Sequence, residues 1–311
     1  MESEFTCKRL VAIYQEKDLF LSGPHNLSFN IEKETTITVK IEQCGIRTIT
    51  IATENEITQL EMYTVLTRIE RLLMLFEGCF IKLSELKFSD SVTYTEIQLE
   101  NYAQHMMNNR LSYFESSDFS KAKVNCLIGY ESVITSDLYV RWEVLLDELD
   151  VVNQMYLYSL SDSRMPIDLK CAFLIELSEP LIEIVKVRKN YFTSLEPGKR
   201  GTSLKNCMDS LITKYGVDIF RIEIERNYEM ILSMMVNSRN RIMHIKRKQT
   251  QKFFSGKESV LYINKMSLLY RHILFQMLDI DEEIYHDNLI NCIIRWNKWN
   301  DILEKLMYKT S

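Results

Sequence analysis

Residues 138–156 read LYVRWEVLLDELDVVNQMY, and in them Leu138, Trp142, Leu145, Leu149, Val152 and Tyr156 recur at spacings of 4, 3, 4, 3 and 4. That is the period of an α-helix burying one stripe. Everything that follows has the same period. Pro166 suits the first turn of a second helix, which carries Phe173, Leu174, Leu177, Leu181 and Ile184. Pro180 should kink or interrupt that helix, because its ring excludes the carbonyl four residues back. A third helix is expected from about Ser203 to Tyr215, stopped by Gly216, and a fourth from Asp218 through Ile219, Ile222, Tyr228, Ile231 and Met235. After a polar break at 249–258, further helices are expected near 259–279 and 285–308, the last bearing Trp296 and Trp299.

On the N-terminal side of the opening stretch the period is different. Leu27, Phe29 and Ile31, and then Ile37, Val39 and Ile41, alternate with polar residues as half-buried strands do, and Ile49 and Ile51 continue the alternation. Ser22-Gly23-Pro24 and Cys44-Gly45 supply turns. Leu60, Val65, Ile69, Leu72, Leu73 and Phe76 then return to helical spacing, with Gly78 placed to end that helix. Ile81, Leu83, Leu86 and Phe88 suggest more extended chain. The polar, serine-rich run 112–122 reads as a loop near a domain boundary. The expectation is therefore an α+β chain: a β-rich α+β domain over 1–136, with a sensing or regulatory role, followed by an all-α bundle over 137–311.

Composition narrows the function. No apolar stretch approaches the 18 or so residues of a membrane span, and MESEFTCKRL lacks a secretory pattern, so no membrane partner is expected. Seven Cys scattered at 7, 44, 79, 126, 171, 207 and 292 have no zinc or disulfide spacing and read as reduced cytoplasmic thiols. No GxxxxGK, GxGxxG, HExxH or GxSxG is present, so neither a metal nor another cofactor is expected. The net charge of -5 divides unevenly. Residues 1–137 hold 13 Lys+Arg against 20 Asp+Glu, a net of -7, whereas 138–311 hold 25 against 23, a net of +2. Between 239 and 252, Arg239, Arg241, Lys246, Arg247, Lys248 and Lys252 stand without an acidic residue among them. Such a patch can bind phosphate whatever the global sign, or it can be a solvated helix end and loop.

The same segment holds the residues suited to chemistry, Arg239-Asn240-x3-His244. Asn237 or Ser238 could cap a new helix there, which would place Arg239 and Asn240 at a helix N-terminus, where an anion is favoured. Asn240 and His244 share a helix face, and Arg239 lies about 140° round from His244 but is long enough to reach the same anion. Cleaving RNA without a metal needs a base for the ribose 2′-OH, an acid for the leaving oxygen, and a cation for the phosphorane between them. Histidine titrates near neutrality, and arginine matches phosphate oxygens with paired hydrogen bonds. One His per chain is too few for two proton transfers, and a two-fold dimer would supply the second. By spacing alone the pattern reads as an ordinary surface Arg and a satisfied His. Of the other candidates, His272 sits among Leu268, Leu269, Ile273 and Phe275 and reads as a core or helix-face residue. His25 and His105 read as structural or exposed, and His286 with Asp287 has no third partner. Lys186, Arg188, Lys189, Lys199, Arg200 and Lys205, with Tyr191 and Phe192, form either an RNA track or a solvated loop.

Set after one long helix and before the stripe Leu261, Leu268, Leu269, Ile273, Leu274, Met277 and Leu278, the run Arg239-Asn240-x3-His244 resembles the signature of the HEPN superfamily. In particular it resembles the ApeA-type HEPN proteins of bacterial abortive infection. Members of that group carry a β-rich domain, then a helix and strand similar to Tyr63–Phe88, then a Trp-bearing helix similar to that around Trp142. The resemblance implies a metal-independent endoribonuclease, cytoplasmic and homodimeric, acting as a toxin-like antiviral effector. In it Arg239 and His244 would be catalytic and Asn240 supporting; the basic patch, read by its charge, makes Arg241, Lys246, Arg247 and Lys248 the expected RNA-binding residues. Its partners would be RNA (tRNA or another structured RNA) and a phage-derived trigger or an antitoxin. The alternatives are an inactive HEPN module that binds RNA or a nucleotide, and a helical dimerisation or interaction protein.

Overall fold

The alternating segments near the N-terminus form a five-stranded antiparallel sheet, ordered β2-β3-β4-β1-β5. Its strands are β1 (Thr6–Tyr14), β2 (His25–Ile31), β3 (Ile37–Gln43), β4 (Arg47–Thr58) and β5 (Leu83–Ser89). The computed structural model describes residues 5–14, 25–44, 46–81, 83–109, 125–160, 165–189, 203–244, 251–299, 302, 304 and 305. The expected turn at 22–24 and loop at 112–122 lie outside them. Within β3, Ile37, Val39, Ile41 and Gln43 are buried while Thr38, Lys40 and Glu42 face outward, as a strand with one covered face requires. Helix α1 (Gln59–Glu77) packs against β4 and β1. It starts at a capping box between Thr58 and Glu61 and ends at Gly78, whose φ of 66° is the left-handed conformation that glycine adopts without strain. Helix α2 (Glu96–Asn109) lies against β5, and Phe5 joins Phe88, Tyr94 and Tyr102 in an aromatic cluster. Tyr14 donates to the buried carboxylate of Glu70 at 2.6 Å.

The chain divides into two compact units, 1–147 with 160–163 and 148–159 with 164–311, so that the helix α3 (Ser136–Leu160) contributes to both. The apolar stripe of α3 is buried along its length, from Leu138 to Tyr156. In the first unit Trp142 donates its indole N–H to the carbonyl of Arg68 at 2.8 Å. In the second, Tyr156 stacks on Tyr270 with ring centroids 4.2 Å apart.

The helical unit continues with α4 (Ile167–Glu176), α5 (Ser178–Lys189), α6 (Leu204–Tyr215), α7 (Arg221–Arg226), α8 (Tyr228–Met243), α9 (Lys257–Met277) and α10 (His286–Asn297). Pro180 acts as expected. Its missing N–H and its ring are incompatible with a helix carried straight through the carbonyl of Glu176, and the chain breaks at Leu177. Ser203 caps α6 through the amide of Asn206, and α6 stops at Gly216. The single helix expected from Asp218 is instead two, divided at Asn227. Tyr228 donates to Asp209 of α6 at 2.9 Å and Lys205 bonds Glu229 at 2.7 Å, so contacts to α6 direct the new helix. Helix α9 is buried on nearly all sides and forms the axis of the unit, with α4, α6 and α10 around it. Fully burying each Leu and Ile of its stripe contributes roughly 1.5–3 kcal/mol. The helix opens at Gly256, whose φ is 57°; its N–H and the hydroxyl of Ser259 both bond Asp168 on α4.

Candidate active site

Helix α8 packs along α4, and the polar residues of interest occupy its last turns. Ser238 is the hinge of the local structure. Its hydroxyl bonds the Met234 carbonyl one turn back at 2.7 Å and accepts the Phe254 N–H at 2.8 Å. Asn237 donates to the carbonyl of Lys252 at 3.0 Å, Phe254 stacks face to face on Tyr262, and the Arg241 guanidinium lies 4.0 Å over the ring of Phe253. The segment entering α9 is thereby fastened to the end of α8.

These contacts correct the expected cap. Asn237 and Ser238 do not begin a helix; α8 runs unbroken from Tyr228 to Met243, and Arg239, Asn240 and Arg241 stand at its C-terminal end. The stretch from Ile231 has no helix breaker, and a serine that bonds the carbonyl four residues back fits a helix interior. The local dipole therefore presents its negative end, and attraction for an anion must come from the side chains. His244 is the C-cap residue, with φ -103°, ψ 6° and its N–H on the carbonyl of Asn240 at 3.1 Å.

Three of the expected residues converge. The Arg239 Nη1 donates to Asn240 Oδ1 at 2.9 Å and lies 3.3 Å from His244 Nε2. A guanidinium nitrogen can only donate, so that contact requires the lone pair of the imidazole to sit on Nε2 and its proton on Nδ1. The fourth member was missed by sequence reasoning. Glu176, the last residue of α4 and 63 positions upstream, receives both Nε and Nη2 of Arg239, the latter at 2.8 Å. The Arg239 and Glu176 side chains are 17% and 23% exposed, so the pair is screened less than a surface pair while remaining reachable. This hydrogen bond, more than anything else, pushes the Arg239 pKa above its usual value. The signal available in the sequence was a single carboxylate inside the apolar run Cys171-Ala-Phe-Leu-Ile-Glu176-Leu, just ahead of the break imposed by Pro180.

Arg241 has other company: besides Phe253 it stands 4.0 Å from Asp168. Lys246, Arg247 and Lys248 lie outside the described residues, as do Tyr191, Phe192, Lys199 and Arg200; Lys186, Arg188 and Lys189 fall on α5. Lys205 bonds Glu229. His272 is a core residue, 7% exposed, with Nδ1 3.1 Å from the Tyr285 hydroxyl, and burial pushes its pKa below the ordinary value. His286 faces Glu282 at 3.4 Å, His105 lies exposed on α2, and His25 opens β2. Among the described residues no three His, Cys, Asp or Glu side chains gather as a metal-ligating group, and no helix is long and apolar enough to cross a membrane.

The helical unit is thus built around one buried helix, with an Arg-Asn-x3-His run converging at a helix end. Residues 171–284 match the family model described as Apea-like HEPN, and this part of the chain is a HEPN domain of ApeA type. The matched segment takes in Glu176 as well as Arg239, Asn240 and His244. No curated protein and no solved structure matches the chain.

Proposed function

We propose that the HEPN domain is a metal-independent endoribonuclease that cleaves RNA by attack of the ribose 2′-OH, and that the chain serves as a toxin-like effector in bacterial defence against phage. The observation that carries the reading is the approach of Arg239 Nη1 to His244 Nε2, with Asn240 bonded to the same nitrogen. A base with its lone pair beside a fixed cation suits one half of the reaction. As Arg239 Nη1 turns from His244 Nε2 to the phosphate, the freed lone pair takes the 2′-OH proton, the 2′-oxygen forms a bond to phosphorus, and Arg239 stabilises the phosphorane. The P–O5′ bond then breaks and the 5′-oxygen takes a proton from a second group. The products are a 2′,3′-cyclic phosphate and a 5′-hydroxyl, with no redox change and no other reactant. Each chain brings one such His, so a homodimer with two sites across a two-fold axis supplies both proton-transfer groups. RNA, tRNA or another structured RNA, is the partner, met by the basic residues that follow His244. The sheet-bearing half serves as the sensing part, answering a phage-derived trigger or an antitoxin, and the whole acts in the cytoplasm.

Sequencing RNA ends after induction of the wild type and of His244→Ala in a bacterial host tests the reading. New 5′-hydroxyl ends should appear with the wild type alone, and cleavage by the purified protein should persist in excess EDTA. Identical RNA ends from the two proteins, with both folded, would refute it.

A further inference from the structure

We infer that Glu176 is a positioning residue of this site, holding Arg239 by one edge of its guanidinium so that the other edge faces the reacting phosphate. The inference rests on the ribonuclease reading above. A guanidinium has five N–H donors in one plane and two edges able to grip an anion. Glu176 occupies the edge formed by Nε and Nη2 with both carboxylate oxygens. The edge formed by Nη1 and the second N–H of Nη2 is thereby left on the side of Asn240 and His244; both N–H groups of Nη1 bond these two residues, and a phosphate takes the edge by displacing them.

Three features make the grip a fixed one. Glu176 ends α4, where the break before Pro180 sets its place, and α4 is the helix packed most closely along α8. The two side chains are mostly covered, so water competes poorly for the pair. At its other end α4 is tied through Asp168 to Gly256 and Ser259 at the start of α9, which keeps the helix from sliding against α8. Without Glu176, Arg239 would be a long side chain with many rotamers, attached to the site by Nη1 alone, and its position relative to His244 would be averaged. Glu176 also offsets one positive charge per chain where a two-fold arrangement would crowd two arginines.

The alternative is that Glu176 screens Arg239 from RNA and is displaced on binding. The two are told apart with full-length Glu176→Ala, Glu176→Gln, Arg239→Ala and the double Glu176→Ala/Arg239→Ala, using total bacterial RNA as substrate and 2′-O-methylated oligouridylate as the uncleavable binding probe. Positioning predicts that Glu176→Ala lowers kcat on the order of 10–10²-fold, as misplacement of a reacting group does. Probe binding should change by less than about 3-fold, because the cation remains. Glu176→Gln, which keeps one acceptor, should fall between. In the Arg239→Ala background the Glu176 change should add nothing, since its effect passes through Arg239. Faster cleavage or markedly tighter probe binding by Glu176→Ala overturns the inference in favour of screening, and an equal further loss in the Arg239→Ala background overturns it in favour of a purely structural role. If the wild type cleaves no RNA, the ribonuclease reading fails by itself. The grip is then judged from the ¹⁵N-labelled arginine Nε–H spectrum, in which Glu176→Gln must move the one signal that Arg239→Ala removes; an unmoved signal overturns it.

Discussion

The buried pair between Glu223 of α7 and Lys265 of α9 offers a quantitative test of how the HEPN domain is held together. Their side chains are 0% and 2% exposed, and the Lys265 Nζ lies 2.6 and 2.8 Å from the two carboxylate oxygens. The Tyr262 hydroxyl donates to the same carboxylate at 3.3 Å, and the ring of Phe220 lies 5.5 Å from the ammonium. Burial already pushes Lys265 below its ordinary pKa, against the opposing pull of Glu223. Glu223→Leu removes the carboxylate while roughly keeping its volume. The stranded ammonium then has two options. Remaining charged costs about 3–5 kcal/mol. Releasing its proton costs about 1.36 kcal/mol for each pH unit below the ordinary 10.5, hence about 4.8 kcal/mol at pH 7 and about 2.0 at pH 9. The unfolded chain keeps that proton and the folded variant gives it up, so stability of the variant relative to wild type must rise with pH up to 10.5. We expect a loss of about 3–5 kcal/mol at pH 7, of which up to about 2.7 kcal/mol returns by pH 9. Glu223→Leu/Lys265→Met should recover most of it at both pH values, because no charge is left buried. Urea unfolding followed by Trp296 and Trp299 fluorescence, with Trp142→Phe in every protein, reads this unit. A loss independent of pH, or one below about 1 kcal/mol at pH 7, would refute the reasoning.

Further outcomes are expected. His244→Ala should lower RNA cleavage by roughly 10²–10⁴-fold with the fold intact, and Arg239→Ala by a similar order through loss of phosphorane stabilisation, both measured by single-turnover cleavage. Replacing Lys246, Arg247 and Lys248 by Gln should weaken RNA binding across sequences and flatten its salt dependence; an unchanged slope in anisotropy titrations would return them to a solvated loop. Adding excess His244→Ala to wild type should remove more activity than simple dilution does, whereas a fully active monomer by light scattering under assay conditions would exclude a shared site. Ser238→Ala strands the buried Phe254 N–H and should cost about 1–3 kcal/mol in thermal or urea melts.

Much of the architecture is written locally. Strand alternation, helical stripes, the stops at Gly78 and Gly216 and the break before Pro180 involve residues within about one turn of each other. They were therefore legible in order, as was the convergence of Asn240 and His244, one helical turn apart. The division at Asn227 was not legible, since it follows contacts from Tyr228 and Glu229 to α6. Nor was the position of Arg239 at the C-terminal rather than the N-terminal end of a helix, because Ser238 reads as a cap in sequence and as an interior anchor once Phe254 has folded back onto it.

The sequence by itself determined that an α+β half precedes a helical one, and that an arginine, an asparagine and a histidine fall close together in a basic stretch. Periodicity and spacing suffice for that, since backbone geometry alone sets which near neighbours meet. Tertiary structure alone decided which acid meets Arg239. Glu176 lies 63 residues away on another helix, and Glu179 and Asp168 were equally available on paper. The packing of α4 along α8 selects Glu176, because only folding brings side chains of distant segments within hydrogen-bonding reach, and no local pattern records which of them will meet.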